Sequence, residues 1–207
     1  MTVSRDNPRI LIGASIPRSG HHFLADMMTA YYGNNLYYCE YYTLPSCCRA
    51  VPCTRRGAHN IIYQKSHDRD FKLAADVAHA LYLIQYRHPV PEALSDRELD
   101  LQDSFGRPSL AYRSTHAGYM NWLAGKAIYY RRFHDKWIAP KLANAIYLDY
   151  APLAADPKKF LKTISRVLHH QMNIEWQLCL HAVDYGCAET EIRYKVTIHY
   201  IHLNPIR

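Results

Sequence analysis

A single α/β domain, with a central parallel β-sheet flanked by helices, is the architecture this sequence predicts. Three observations carry that expectation. Short runs of branched and aromatic residues recur at 9–15, 60–64, 81–86 and 144–149, each bounded by polar or proline-containing turns. Stretches with helical spacing of apolar residues separate them, and strands that alternate with helices pair in parallel. The 207 residues fit one such domain over 1–207, with no internal repeat or low-complexity tract to suggest another organisation.

Residues 9–15 are too continuously apolar for an exposed edge, so they read as a buried first strand. Phe23, Leu24, Met27, Met28 and Tyr31 then recur at helical spacing until Gly33 stops the helix. Residues 34–59 are rich in Tyr, Cys, Pro and Arg without clear periodicity, and read as a long irregular insertion of the kind that forms a substrate wall. The second strand, 60–64, ends at Lys65-Ser66-His67-Asp68, and the third, 81–86, at Arg87-His88-Pro89. Between them 70–80 carries a short amphipathic helical pattern, and 90–101 reads as a helix with Pro91 tolerated in its first turn. A loop at 102–113 precedes a long aromatic helix at about 114–138, which Pro140 closes. The fourth strand, 144–149, leads into a helix at 158–170, with Asp156 as N-cap and Pro157 as first helical residue. The tail suggests a helix near 174–183 and an alternating stretch near 194–201.

Composition narrows the partners. Lys and Arg exceed Asp and Glu by 25 to 18, a formal charge of +7, which favours an anionic partner. The basic residues occur in scattered pairs such as Arg55-Arg56 and Arg131-Arg132, and no nucleic-acid module signature is present, so nucleic acid is not expected. No segment approaches the roughly 20 apolar residues of a membrane span, and the first residues have no apolar signal core. A soluble, cytoplasmic protein is expected. Cys39, Cys47, Cys48 and Cys53 cluster in a tyrosine-rich stretch at a spacing that fits no standard zinc pattern. They read as reduced, unliganded thiols, with a metal site or a disulfide as alternatives; Cys179 and Cys187 add no pattern.

The chemistry concentrates at 9–24. A buried strand, a Pro/Gly turn carrying Arg18 and the start of a helix form the anatomy of an anion site, because the first N–H groups of a helix lack carbonyl partners and sit at the positive end of its dipole. A Walker A loop is excluded: Gly20 is followed by His21 and His22, and the cation precedes the glycine. In open parallel sheets ligands bind beyond the carboxyl ends of the strands, and Pro17-Arg18-Ser19-Gly20, Lys65-Ser66-His67 and Arg87 all fall there.

Pro17-Arg18-Ser19-Gly20 followed by an aromatic Phe23 resembles the 5′-phosphosulfate loop of the sulfotransferase family, whose members use 3′-phosphoadenosine 5′-phosphosulfate. Arg87 and Ser95 stand at the separation of the strand-end arginine and helix serine that bind the 3′-phosphate in that family. Lys65-Ser66-His67 is similar to the Lys-Thr-His segment of its cytosolic-type members, in which the histidine is the catalytic base. The resemblance implies that His67 is the base, that Lys65 offsets charge on the departing phosphate, and that Arg18, Ser19, Gly20, His21 and His22 hold the 5′-phosphate. It also implies that Phe23 stacks on adenine and that Tyr147 lies near the base. Arg18 stands where many members have lysine; its guanidinium stays protonated and would act as a clamp, not as a proton donor. Asp68, Glu40 and His21 are rival bases.

His21-His22 replaces the family's usual Thr-Thr, and only Arg193 and Lys195 stand in for its Arg-Lys-Gly loop. The implied activity is sulfuryl transfer, without a metal, to a hydroxyl of a small molecule, lipid or glycan. The alternatives are a noncatalytic nucleotide- or polyanion-binding protein on the same fold and a P-loop-like phosphotransferase, which should need Mg²⁺ and an acidic ligand near the loop.

Overall fold

The apolar run at 9–15 forms β1 (Arg9–Ser15), buried over its last five residues, at the centre of the sheet. A computed structural model describes residues 9–41, 47–55, 59–103 and 115–172. In chain order β1 is followed by α1 (His21–Tyr32), a 3₁₀ turn (Gly33–Asn35), β2 (Leu36–Glu40), β3 (Ile61–Ser66), β4 (Ala80–Tyr86) and α2 (Pro89–Asp103). Then come α3 (His116–Phe133), running into a π-helical turn (His134–Ile138), β5 (Ala145–Asp149), α4 (Tyr150–Ala155) and α5 (Pro157–Met172). The five strands are all parallel, in the order β2-β3-β1-β4-β5. The α/β architecture is therefore as the sequence predicts.

Alternation along the strands divides the core between two faces. Leu11, Tyr63 and Leu83 meet Phe23, Leu24, Met27 and Met28 of α1, together with Leu153 of α4 and Ile164 of α5. On the opposite face Ile12, Ala14, Tyr82 and Ile84 meet Phe133 and Trp137 at the end of α3. Gly13 is required here: a Cβ on it would lie 2.9 Å from the Tyr63 ring, which is itself buried against β1.

The helix ends follow from local chemistry. Gly33 closes α1 at φ 55°, its N–H donating to Thr29 O. Asp156 caps α5 as expected, its Oδ1 accepting from Lys159 N at 3.0 Å, and Asp149 caps α4 in the same way through Ala151 N.

Four expectations need correction. The stretch 34–59 is not wholly irregular: Leu36–Glu40 forms the edge strand β2, in register with β3 from Leu36↔Ile61 to Glu40↔Lys65. Residues 70–80 do not form a helix. Asp68 and Phe71 turn the chain at positive φ, Leu73 N donates to Asp68 Oδ1 at 2.7 Å, and Lys136 Nζ takes the carbonyls of Phe71 and Leu73 at 2.8 and 2.7 Å. A lysine distant in sequence thus claims carbonyls that a helix would need. Helix α4 occupies a segment read only as a connection. Residues 102 and 103, expected in a loop, belong to α2, which runs to Asp103; residues 104–114, and the elements expected at 174–183 and 194–201, lie outside the described residues.

Asp68 is the polar centre of this arrangement. It is 1 % exposed, and its Oδ2 accepts from Lys136 Nζ at 2.6 Å and Trp137 Nε1 at 2.8 Å. Removing the carboxylate leaves the half-buried Lys136 ammonium without its counterion, and an indole N–H and a backbone N–H without an acceptor. Asp68→Ala should lower unfolding free energy by about 3–5 kcal/mol in urea titration, and Asp68→Asn by less. A loss below about 1 kcal/mol would show that the hub is dispensable.

Candidate functional site

The loop after β1 is built to present backbone N–H groups. Arg18 (φ 58°) and Gly20 (φ 80°) both take the left-handed conformation, and the first helical bond is Leu24 N to Gly20 O at 3.0 Å. The N–H groups of His21, His22 and Phe23 therefore precede the helical ladder and face the crevice end of α1 with its positive dipole. Gly20 is forced twice over, because a Cβ would meet the Tyr150 ring at 2.8 Å in a conformation that disfavours side chains. Ser19 serves the loop itself. Fully buried, its hydroxyl donates to Ile16 O at 2.6 Å, while Gln85 Nε2 donates to Ser19 O at 2.7 Å, locking the loop to the end of β4.

Three elements converge beside that loop. Arg18 Nε donates to Ser95 Oγ of α2 at 3.1 Å, and the Arg87 guanidinium, at the end of β4, donates to Arg18 O at 3.3 Å. The resemblance assigned Arg18 to one phosphate and the Arg87–Ser95 pair to another; the fold makes them one contiguous basic group. Ser95 is held in place from one turn away: buried Glu92 accepts from Lys126 Nζ of α3 at 3.1 Å, and Asp96 pairs with the same ammonium. Arg87 also stacks over the Tyr150 ring at 4.4 Å. Next to it opens a pocket of about 740 Å³ lined by Ile16, Tyr86, Arg87, Pro91, Tyr130 and Tyr150 among others, a size and character suited to a planar ring.

The second cluster sits at the ends of β1, β2 and β3. His67 Nδ1 lies 2.8 Å from Ser15 O, so that nitrogen carries the proton and Nε2 carries the lone pair. Lys65 Nζ donates to Nε2 at 2.8 Å and to Glu40 Oε1 at 3.2 Å. Burial, and then the Lys65 charge, push His67 down to about 3; burial lowers Lys65 to about 8 against the pull of Glu40. At neutral pH His67 is thus a neutral imidazole whose basic lone pair is covered by an ammonium. Tyr129 fixes the backbone there, donating to His67 O at 2.6 Å. His21 stacks edge-on against His67 at 4.6 Å, and burial holds its pKa far below the ordinary value. Its Nε2 is buried without a hydrogen-bond partner, 3.9 Å from Glu40 Oε1. His22 is exposed beside it.

Several sequence-derived roles change. Asp68 is no rival base, since both its oxygens serve the structure. Phe23 is 5 % exposed and packed in the core, so it has no free face for adenine. Tyr147 points the wrong way: its hydroxyl accepts from Leu142 N, before the start of β5, and so turns toward the amino ends of the strands. Tyr150, three residues later at the carboxyl end of β5, is the aromatic that reaches the site, and its place just past the strand end was the available signal. Glu40, inside the supposed irregular insertion, turns out to be Lys65's partner. Arg193 and Lys195 lie outside the described residues.

Among the described residues two groups have metal-ligand geometry: His21, His22 and Glu40, and Cys39, Cys48 and Cys53. In the first, the Lys65 ammonium already occupies Glu40, which disfavours a further cation. No protein-family model matches this chain, and no curated protein matches it. No helix among the described residues is long and apolar enough to cross a membrane.

The depressed histidines link stability to pH. The unfolded chain takes up protons near the ordinary value of 6.5, whereas folded His67 resists them until about 3. Between these values the unfolded state binds more protons, so stability falls as pH falls through that window. Urea midpoints measured across it should decline toward acid, and His67→Gln should flatten the decline; an unchanged slope would show that His67 titrates normally.

Proposed function

We propose that this chain is a sulfotransferase that moves a sulfuryl group from 3′-phosphoadenosine 5′-phosphosulfate to the hydroxyl of a small molecule, lipid or glycan. The observation that carries the reading is the convergence of Arg18, Ser95 and Arg87, from three separate elements, beside the N-terminus of α1. In this reading the 3′-phosphate lies against Arg87 and Ser95, and the adenosine extends into the aromatic pocket, where Tyr150 takes the role first given to Phe23 and Tyr147. The 5′-phosphosulfate lies on the N–H groups of His21 to Phe23, with Arg18 as its clamp.

In this reading His67 is the base; burial and then the Lys65 charge hold it down to about 3, so it is a weak proton acceptor while that ammonium stays in place. The acceptor oxygen forms a bond to sulfur while the bond from sulfur to the bridging phosphate oxygen breaks, and the hydroxyl proton passes to His67 Nε2. The leaving phosphate gains negative charge, which Arg18 and Lys65 offset. Lys65 must leave Nε2 for that to happen, and an arriving anion gives its ammonium a stronger partner. Donor binding thus uncovers the base. His21 Nε2, buried and unpartnered, is free to meet the donor or acceptor.

Calorimetric titration with adenosine 3′,5′-bisphosphate, 5′-AMP and Mg-ATP tests the reading. The bisphosphate should bind tightest, and Arg87→Ala should weaken it by about tenfold to a hundredfold while leaving 5′-AMP nearly unaffected, as expected for a charged hydrogen bond to one phosphate. Equal affinities that fall steeply with salt would instead indicate general polyanion binding, and a preference for Mg-ATP would indicate a phosphotransferase.

A further inference from the structure

The cysteines at 39–53 take no part in that reaction, yet the fold gathers three of them from two segments. Cys39 is the fourth residue of β2, and Cys48 and Cys53 lie on the described segment 47–55. Cys39 and Cys53 are buried with Ile62, and Cys48 packs against them from a less buried position. Their three sulfurs lie within 4.8 Å of one another, and Cys39 Sγ is 3.9 Å from Cys48 Sγ, with no disulfide formed. Two thiolates bound to one tetrahedral zinc at about 2.3 Å stand about 3.8 Å apart, so the side chains need little movement to share an ion.

Burial holds the Cys39 and Cys53 thiols above their ordinary value, so an ion must displace their protons, while a neighbouring amide offers the sulfurs an outer contact. Gln64, 1 % exposed, faces the cluster from β3: its Nε2 donates to Ala50 O at 2.6 Å and lies 3.8 and 4.0 Å from the sulfurs of Cys48 and Cys39. An amide N–H aimed at sulfur is the kind of outer contact that orients a metal ligand. The oxygen of the same amide is buried without a partner, and a metal-bound water is one group that could donate to it. His21, His22 and Glu40 offer a mixed group elsewhere, but there a buried cationic lysine is already in place; at the cysteines the cation within reach, Arg55, is exposed and its side chain hydrogen-bonds Tyr37.

We infer that Cys39, Cys48 and Cys53 bind a thiophilic divalent cation of the zinc class, with its fourth position open to water. Binding converts three thiols to thiolates and releases their protons to solvent. The ion joins the edge strand to the segment 47–55. Because Cys39 and Gln64 are register partners immediately before Glu40 and Lys65, it also steadies the strand ends that carry the buried ion pair. This departs from the sequence expectation of unliganded thiols, for which the spacing gave no zinc pattern.

The test uses the full chain, purified with reductant and without chelator. Elemental analysis should find about one zinc per chain, and the metal-stripped protein titrated with Co²⁺ should develop thiolate charge-transfer absorption and intense tetrahedral bands that Zn²⁺ abolishes. Cys48→Ser, at the most exposed ligand, should lose both signals, whereas Cys47→Ser should retain them. Absence of zinc together with absence of the cobalt bands in the native chain would overturn the inference, a result that does not depend on any variant folding. Retention by Cys48→Ser, or equal loss in Cys47→Ser, would overturn the ligand assignment. None of these outcomes depends on the sulfotransferase reading.

Discussion

A lysine ammonium at the end of β3, 1 % exposed, is the constraint around which the site is organised. Burying a cation costs several kcal/mol unless its hydrogen bonds and countercharge are supplied. Glu40 supplies the charge and His67 Nε2 a second acceptor, so β2 must pair with β3 in the one register that sets Glu40 beside Lys65. A slip of one residue would turn Glu40 to the other face of the sheet and leave the ammonium without its counterion. The same demand fixes the histidine, because only a neutral ring with its proton toward Ser15 O can accept from Lys65.

The Arg18 loop is held by different means that lead to the same crevice. Ser19 and Gln85 bind β1's loop to β4, and Tyr150 closes against Gly20 from the start of α4, so the loop is gripped by a strand and a helix besides its own. Arg87 rests on Tyr150 while donating to Arg18 O, which links the loop, the end of β4 and the end of β5. A basic group preorganised in this way approaches an anion with its side-chain entropy already lost, which favours affinity and geometry together.

The sequence discloses those parts whose causes are local. An unbroken apolar run marks β1, a Pro/Gly turn marks the loop, and an Asp-Pro pair marks the start of α5; all three stand where local chemistry puts them. Hidden parts have distant causes. The edge strand β2, Leu-Tyr-Tyr-Cys-Glu, is buried by α1 at Leu36 and by β3 and segment 47–55 at Cys39, so no clean alternation shows. Residues 70–80 have helical spacing but lose to Asp68 and Lys136, a pairing across 68 positions. Phe23 and Tyr147 illustrate a similar limit at the site. Their type matched a role, but the direction of a helix face or of a mid-strand side chain decided where each ring went.

The central claim is that His67 is a neutral base covered by Lys65 and uncovered by an anion. Nitrogen-15 NMR of the imidazole, with and without adenosine 3′,5′-bisphosphate, reads this directly. In the ligand-free protein at neutral pH the account predicts a proton on Nδ1 and a hydrogen-bonded Nε2, and on adding the bisphosphate a shift of Nε2 toward the value of an unbonded nitrogen while the Nδ1 proton stays. A doubly protonated ring at neutral pH, a proton on Nε2, or an Nε2 signal that the saturating nucleotide leaves unmoved would contradict it.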